Sequence, residues 1–144
     1  IKTGENGRGV ASRWYPSTLA KRIRAIGHIR DRITFIHGDG IAVMETHISD
    51  PDAVFFIDPP YTAGSGKSKR AGARLYAHHS LDHERLVSTA ARALGDVLIT
   101  YEDSTDIRAL IEKYGFDAKT VAMKNTHHAT MKELLISKRI NWLS

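Results

Sequence analysis

The chain has 144 residues, enough for one domain with a real core, and its apolar (42%) and charged (26%) fractions are those of a globular protein. It has no cysteine, which excludes disulfides and thiolate metal sites. It shows no apolar run of transmembrane length and no visible leader, which fits a cytoplasmic protein. Lys and Arg number 21 against 16 Asp and Glu, a net charge of +5.

The chain opens Ile1-Lys2-Thr3-Gly4, without an initiator Met and with no clear element before residue 16. Residues 1–15 therefore read as a linker or the tail of a preceding region, and 16–144 as the folded portion of a longer protein. Pro16-Ser17-Thr18 precedes Leu19, Ile23 and Ile26, whose spacing predicts a helix capped by Ser17 or Thr18. Ile33-Thr34-Phe35-Ile36 predicts a strand closed by Gly38-Asp39-Gly40. Residues 41–48 fit a short helix, and Asp50-Pro51-Asp52 a turn. Ala53-Val54-Phe55-Phe56-Ile57 lacks polar alternation and predicts a strand buried on both faces, as in parallel sheets.

Residues 62–74 mix glycines with basic residues, show no periodicity and read as a loop. Ser80 then caps a helix with Leu81, Leu86, Val87, Ala90 and Leu94 on its apolar side, ended by Gly95. Val97-Leu98-Ile99 is the next buried strand. Ser104 starts a helix carrying Ile107, Leu110 and Ile111, ended by Gly115. Residues 119–123 and 133–137 are strands joined by a polar loop from Lys124 to Thr130. Alternation of strands and helices implies an α/β layered sheet. No helix separates the last two strands, which predicts an antiparallel hairpin.

The chemistry concentrates at the end of the 53–57 strand, in Asp58-Pro59-Pro60-Tyr61. In open α/β sheets, ligands bind outside the carboxyl ends of strands. The nitrogen of an amine on an aromatic ring is a poor nucleophile, because its lone pair is delocalised. A carboxylate on Asp58 and the backbone carbonyl of Pro59 can each accept one N–H of such an amine. Acceptors at angles unsuited to a planar amine push the nitrogen toward tetrahedral geometry and release the lone pair. The prolines fix the backbone before the substrate arrives, and Tyr61 can stack on the ring. The plainer reading is a strand ending in a proline turn, with Asp58 as a cap and Tyr61 in the core.

Asp58-Pro59-Pro60-Tyr61 after a Phe-Phe-Ile strand resembles the catalytic motif of S-adenosylmethionine-dependent DNA N6-adenine methyltransferases, the Dam type in particular. Residues 33–40 resemble the strand and acidic turn that precede the catalytic strand, Val97-Leu98-Ile99-Thr100-Tyr101 the strand after the catalytic helix, and Lys132-Glu133-Leu134-Leu135-Ile136 the closing strand. The resemblance spans roughly residues 13–138, and only the Asp-Pro-Pro-Tyr motif is highly specific. It implies a partial Rossmann-like methyltransferase sheet, mostly parallel with an antiparallel C-terminal hairpin and helices on both faces. It implies that Asp58, Pro59, Pro60 and Tyr61 hold a flipped-out adenine. It also implies that Asp39, with Gly40 and Asp58, contacts the cofactor S-adenosylmethionine. It implies double-stranded DNA as the partner, with Lys67, Lys69, Arg70 and Arg74 expected to contact phosphates.

The family's Gly-rich cofactor loop, Phe-x-Gly-x-Gly, and its acidic residue for the cofactor ribose are absent from these residues. The chain therefore reads as the C-terminal half of such an enzyme, with residues 1–15 the end of its DNA-recognition region and the N-terminal half as a missing partner. Alternatives are a methyltransferase acting on an RNA base or a protein amide, and a non-catalytic fragment or subunit that binds DNA through its basic residues. Gly64-Ser65-Gly66-Lys67-Ser68 is not a P-loop, because Tyr61 occupies the position of the first glycine. His79 and His83 have no third metal ligand in sight, and His127-His128 reads as part of a solvated loop.

Overall fold

The computed structural model describes residues 14–60, 81–124 and 130–141. The chain divides into two compact units, Ile1–His37 and Gly38–Ser144.

In the first unit, α1 (Pro16–Gly27) begins with Pro16 in its first turn, where a missing N–H costs nothing. Its N-cap is Tyr15, which makes no side-chain cap bond, so neither Ser17 nor Thr18 performs the expected capping. A single 3₁₀ turn follows at Arg30–Arg32. The strand expected over residues 33–36 is not formed. Residues 33–37 have no regular structure, and Ile33, Phe35 and Ile36 are exposed. A β-branched run becomes a strand only through pairing and burial, and no described strand pairs with this one.

The second unit is an α/β layer. Its elements in order are α2 (Gly40–His47), β1 (Val54–Ile57), α3 (His83–Arg92), β2 (Asp96–Glu102), α4 (Thr105–Tyr114), β3 (Asp117–Lys124) and β4 (Thr130–Ser137). The strands form an open four-stranded sheet in the order β1-β2-β4-β3. β1 and β2 are parallel, while β2–β4 and β4–β3 are antiparallel. The sheet is therefore mixed rather than mostly parallel. The C-terminal hairpin is present, with β4 inserted between β2 and β3. Side-chain character accounts for the insertion. Leu134 and Ile136 on β4 are fully buried, as a central strand requires, whereas Lys119 and Thr120 on β3 are exposed, as suits an edge.

Strand periodicity sorts the side chains of the sheet into two faces. Phe55 and Ile57 on β1, Val97, Ile99 and Tyr101 on β2, and Leu134 and Ile136 on β4 share one face. They join Ile41 and Met44 of α2, Leu86, Val87 and Ala90 of α3, and Ile107 and Ile111 of α4 in a single core. The described helices of this unit thus all contribute to the core on one side of the sheet, not on both sides. On the other face Val54 is 75% and Phe56 67% exposed. The expectation that β1 is buried on both faces fails there, because the described helices of this unit pack on the opposite face.

Local signals account for the helix ends. Asp39 caps α2 by accepting the Ile41 N–H at 2.9 Å, and Asp82 caps α3 by accepting the Arg85 N–H at 2.8 Å. α3 therefore starts after Asp82; Ser80, the expected cap, lies outside the described residues, and Leu94, expected on the apolar side of this helix, lies beyond its end and is exposed. Ser104 caps α4, and Gly115 ends it in the left-handed conformation with φ of 70°. Gly95 has a different role from the helix stop expected of it. A Cβ there would lie 2.0 Å from the carbonyl oxygen of Ala53, where β1 and β2 begin side by side. Asp50 makes the expected turn by accepting the Asp52 N–H at 2.9 Å.

Candidate functional site

The parallel register of β1 and β2 builds the site. Phe55 pairs with Val97, Phe56 with Leu98 and Ile57 with Ile99. One step further, Asp58 and Thr100 stand side by side beyond the last pair. The Thr100 hydroxyl donates to Oδ1 of Asp58 at 2.7 Å. Period-2 alternation puts Asp58 on the same face as Val54 and Phe56, which leaves it exposed. Pro59 and Pro60 follow, half-buried, and no peptide bond among the described residues is cis. Each proline holds φ near −65° and offers a carbonyl without an N–H, so the backbone leaves the strand end stiffly.

Asp39 and Gly40 lie on the same cleft as Asp58. The cleft has a volume of about 390 Å³ and runs from the N-terminus of α2 along β1 to the prolines, with Met44, Phe55 and Leu81 among its apolar walls. The structure thus brings together both carboxylates expected to matter, although 18 residues of intervening chain separate them in sequence. Asp39 also makes an ordinary helix cap through Oδ1, and its Oδ2 lies 3.4 Å from Nη1 of Arg85. Arg85 continues to Glu45 at 3.5 Å, and Glu45 to Arg92 at 3.8 Å. All four side chains are substantially exposed, so this chain of charges orients α3 against α2 more than it stabilises the fold.

Behind Thr100, Tyr101 is fully buried, and its hydroxyl meets Nδ1 of His83 at 2.6 Å. The rings meet edge to face, with centroids 5.7 Å apart. His83 is thus engaged with a buried phenol. Among the described residues no group of three His, Asp or Glu side chains is arranged to hold a metal ion.

Several expected site residues fall outside the described residues: Tyr61, Lys67, Lys69, Arg70 and Arg74, together with Gly64 to Ser68, His79 and His127-His128. Thr100, Arg85 and the His83–Tyr101 pair are additions. A signal for Thr100 lay in the sequence: in both apolar runs, Phe55-Phe56-Ile57 and Val97-Leu98-Ile99, the next residue is polar. A parallel register sets those two residues beside each other. No family model matches the chain, and no curated protein matches it.

Proposed function

We propose that the chain is the catalytic portion of an S-adenosylmethionine-dependent methyltransferase acting on N6 of adenine in DNA. The observation that carries this reading is the Asp-Pro-Pro strand end, set in one cleft with the helix-capping carboxylate Asp39. The chemistry of the cleft suits an adenosyl group. Apolar walls from Met44, Phe55 and Leu81 can pack on a flat ring, and the Asp39 carboxylate can accept an N–H from the ring's amine. Nothing in the 144 residues resembles the family's Phe-x-Gly-x-Gly loop, so the remainder of the cofactor site is assigned to further polypeptide. When bound, the cofactor supplies a methyl group on a positively charged sulfur.

The residues of this chain act on the adenine. Asp58 and the Pro59 carbonyl each accept one N–H of N6, at positions fixed by the strand end and the two prolines. The nitrogen lone pair would then form a bond to the methyl carbon as the carbon–sulfur bond breaks, with that electron pair returning to sulfur, and the surplus N6 proton would pass by way of Asp58 to solvent. Tyr61 stacks on the flipped base, and Lys67, Lys69, Arg70 and Arg74 contact the phosphates beside it.

The test is methylation of duplex DNA by the natural polypeptide that carries these residues. Asp58→Ala is expected to lower the rate by about 100- to 1,000-fold, the scale on which losing a preorganised polar contact is felt. Unchanged methylation in that variant rejects the reading. Competition among DNA, RNA and protein substrates fixes the acceptor class.

A further inference from the structure

We infer that Thr100 is the positioning residue for the Asp58 carboxylate; this rests on the reading of Asp58 as the acceptor of an amine proton. The prolines immobilise the backbone after Asp58, but they do not fix its side chain. The terminal torsion of an aspartate is soft and broad, so an unrestrained carboxylate rotates about its last bond. An acceptor meant to bend a planar amine must hold its lone pairs in one direction. Thr100 provides such a restraint. An ionised carboxylate can only accept, so the hydroxyl donates to Oδ1 across 2.7 Å, a charge-assisted bond.

The two residues differ in how firmly they are held. Asp58 lies one residue past the end of β1 and is exposed. Thr100 lies inside β2, which pairs with β1 on one side and β4 on the other; Thr100 itself is opposite Leu135 of β4. Its β-branched side chain is stiff at χ1. Its neighbours Ile99 and Tyr101 are fully buried. The rigid centre of the sheet therefore sets the orientation of a carboxylate at its margin.

The experiment compares Thr100→Val, Thr100→Ser and Asp58→Ala in the natural polypeptide that carries the chain, with single-turnover methylation of a duplex oligonucleotide, KM for DNA and Tm as readouts. Valine keeps the shape of threonine and removes the hydroxyl. Thr100→Val is expected to lower the methylation rate by about 10- to 100-fold, the scale of one charge-assisted bond, with KM and Tm little changed. Thr100→Ser, which keeps the donor, is expected to recover most of the rate. Full activity in Thr100→Val while Asp58→Ala is inactive overturns the inference and leaves the reading of Asp58 standing. Full activity in Asp58→Ala overturns both. An equal loss in the Val and Ser variants, or a loss that follows Tm, makes Thr100 a structural residue and also overturns the inference. If Thr100→Val does not fold, Thr100→Ala is judged by the same outcomes.

Discussion

The centre and the margin of the sheet are built differently. At the centre, Ile99, Tyr101, Leu134 and Ile136 are completely buried between paired strands and helices. At the margin, β1 is four residues long and pairs, among the described residues, only with β2. One of its faces is open through Val54 and Phe56. Yet Asp58, Pro59 and Pro60 all hang from that margin. The strand that carries the candidate chemistry adds only the half-buried Phe55 and Ile57 to the core, and it relies on the centre for its order. The register with β2, the bond from Thr100 and the close approach of Gly95 are what hold it.

The sharpest way to break this comparison is to remove the same kind of mass from each region. Ile99→Ala should cost about 2–5 kcal/mol, because it leaves a cavity in a fully buried site. Phe56→Ala removes a larger side chain but should cost under about 1 kcal/mol, since most of that side chain is already in water. Chemical denaturation of the two variants decides the matter. Equal losses would mean that β1 is covered on its open face and that the contrast is false.

A middle-sized effect is expected where the two regions meet. Gly95→Ala places a Cβ 2.0 Å from the Ala53 carbonyl oxygen, with backbone on both sides and no flexible end to give way. That oxygen accepts the Asp96 N–H at 3.0 Å, so any relief disturbs the first bond between β1 and β2. Forced overpacking of this kind costs about 1–3 kcal/mol. Hydrogen exchange should show the loss at β1 before it shows at β4; protection lost evenly across the sheet would contradict the weak-margin picture.

The same contrast explains what was legible in the sequence. Elements defined by local signals were readable: the apolar runs of β1 and β2, the Ser104 and Gly115 ends of α4, and the turn at Asp50. Elements decided by distant partners were not. Residues 33–36 have strand composition and no strand beside them. The hairpin of β3 and β4 was readable, but not which arm lies inside: the Leu-Leu-Ile run of β4 is drawn into the centre while the Lys-containing β3 is left outside. Gly95 carries the usual mark of a helix stop, though its cause is a strand packed against it. The candidate site divides in the same way. The Asp-Pro-Pro run is visible in one dimension, whereas its neighbours Asp39, Thr100 and Arg85 come from α2, β2 and α3 and become neighbours only through the fold.

The smallest effect concerns acid, and it bears on the side of the molecule away from β1. Arg108 grips Asp103 through Nε at 2.6 Å and Nη2 at 2.8 Å, which holds the Asp103 carboxyl below its usual range. Hydrogen bonds from Lys113 and Tyr114 do the same for Glu84 and tie α3 to α4. A carboxylate whose folded pKa is lowered contributes stability that is present above its unfolded pKa and is lost as pH falls through the folded value. Tm should therefore decline as pH drops below about 4, the ordinary range for these groups. Glu84 and both cations are exposed and Asp103 is half-buried, so the decline is shallow. Arg108→Ala with Lys113→Ala should flatten this acid limb by lowering Tm slightly near neutrality while leaving it unchanged in acid. An acid limb of the same slope in the double variant would shift the acid sensitivity elsewhere, and would remove the one respect in which the helix layer is predicted to yield before the margin of the sheet.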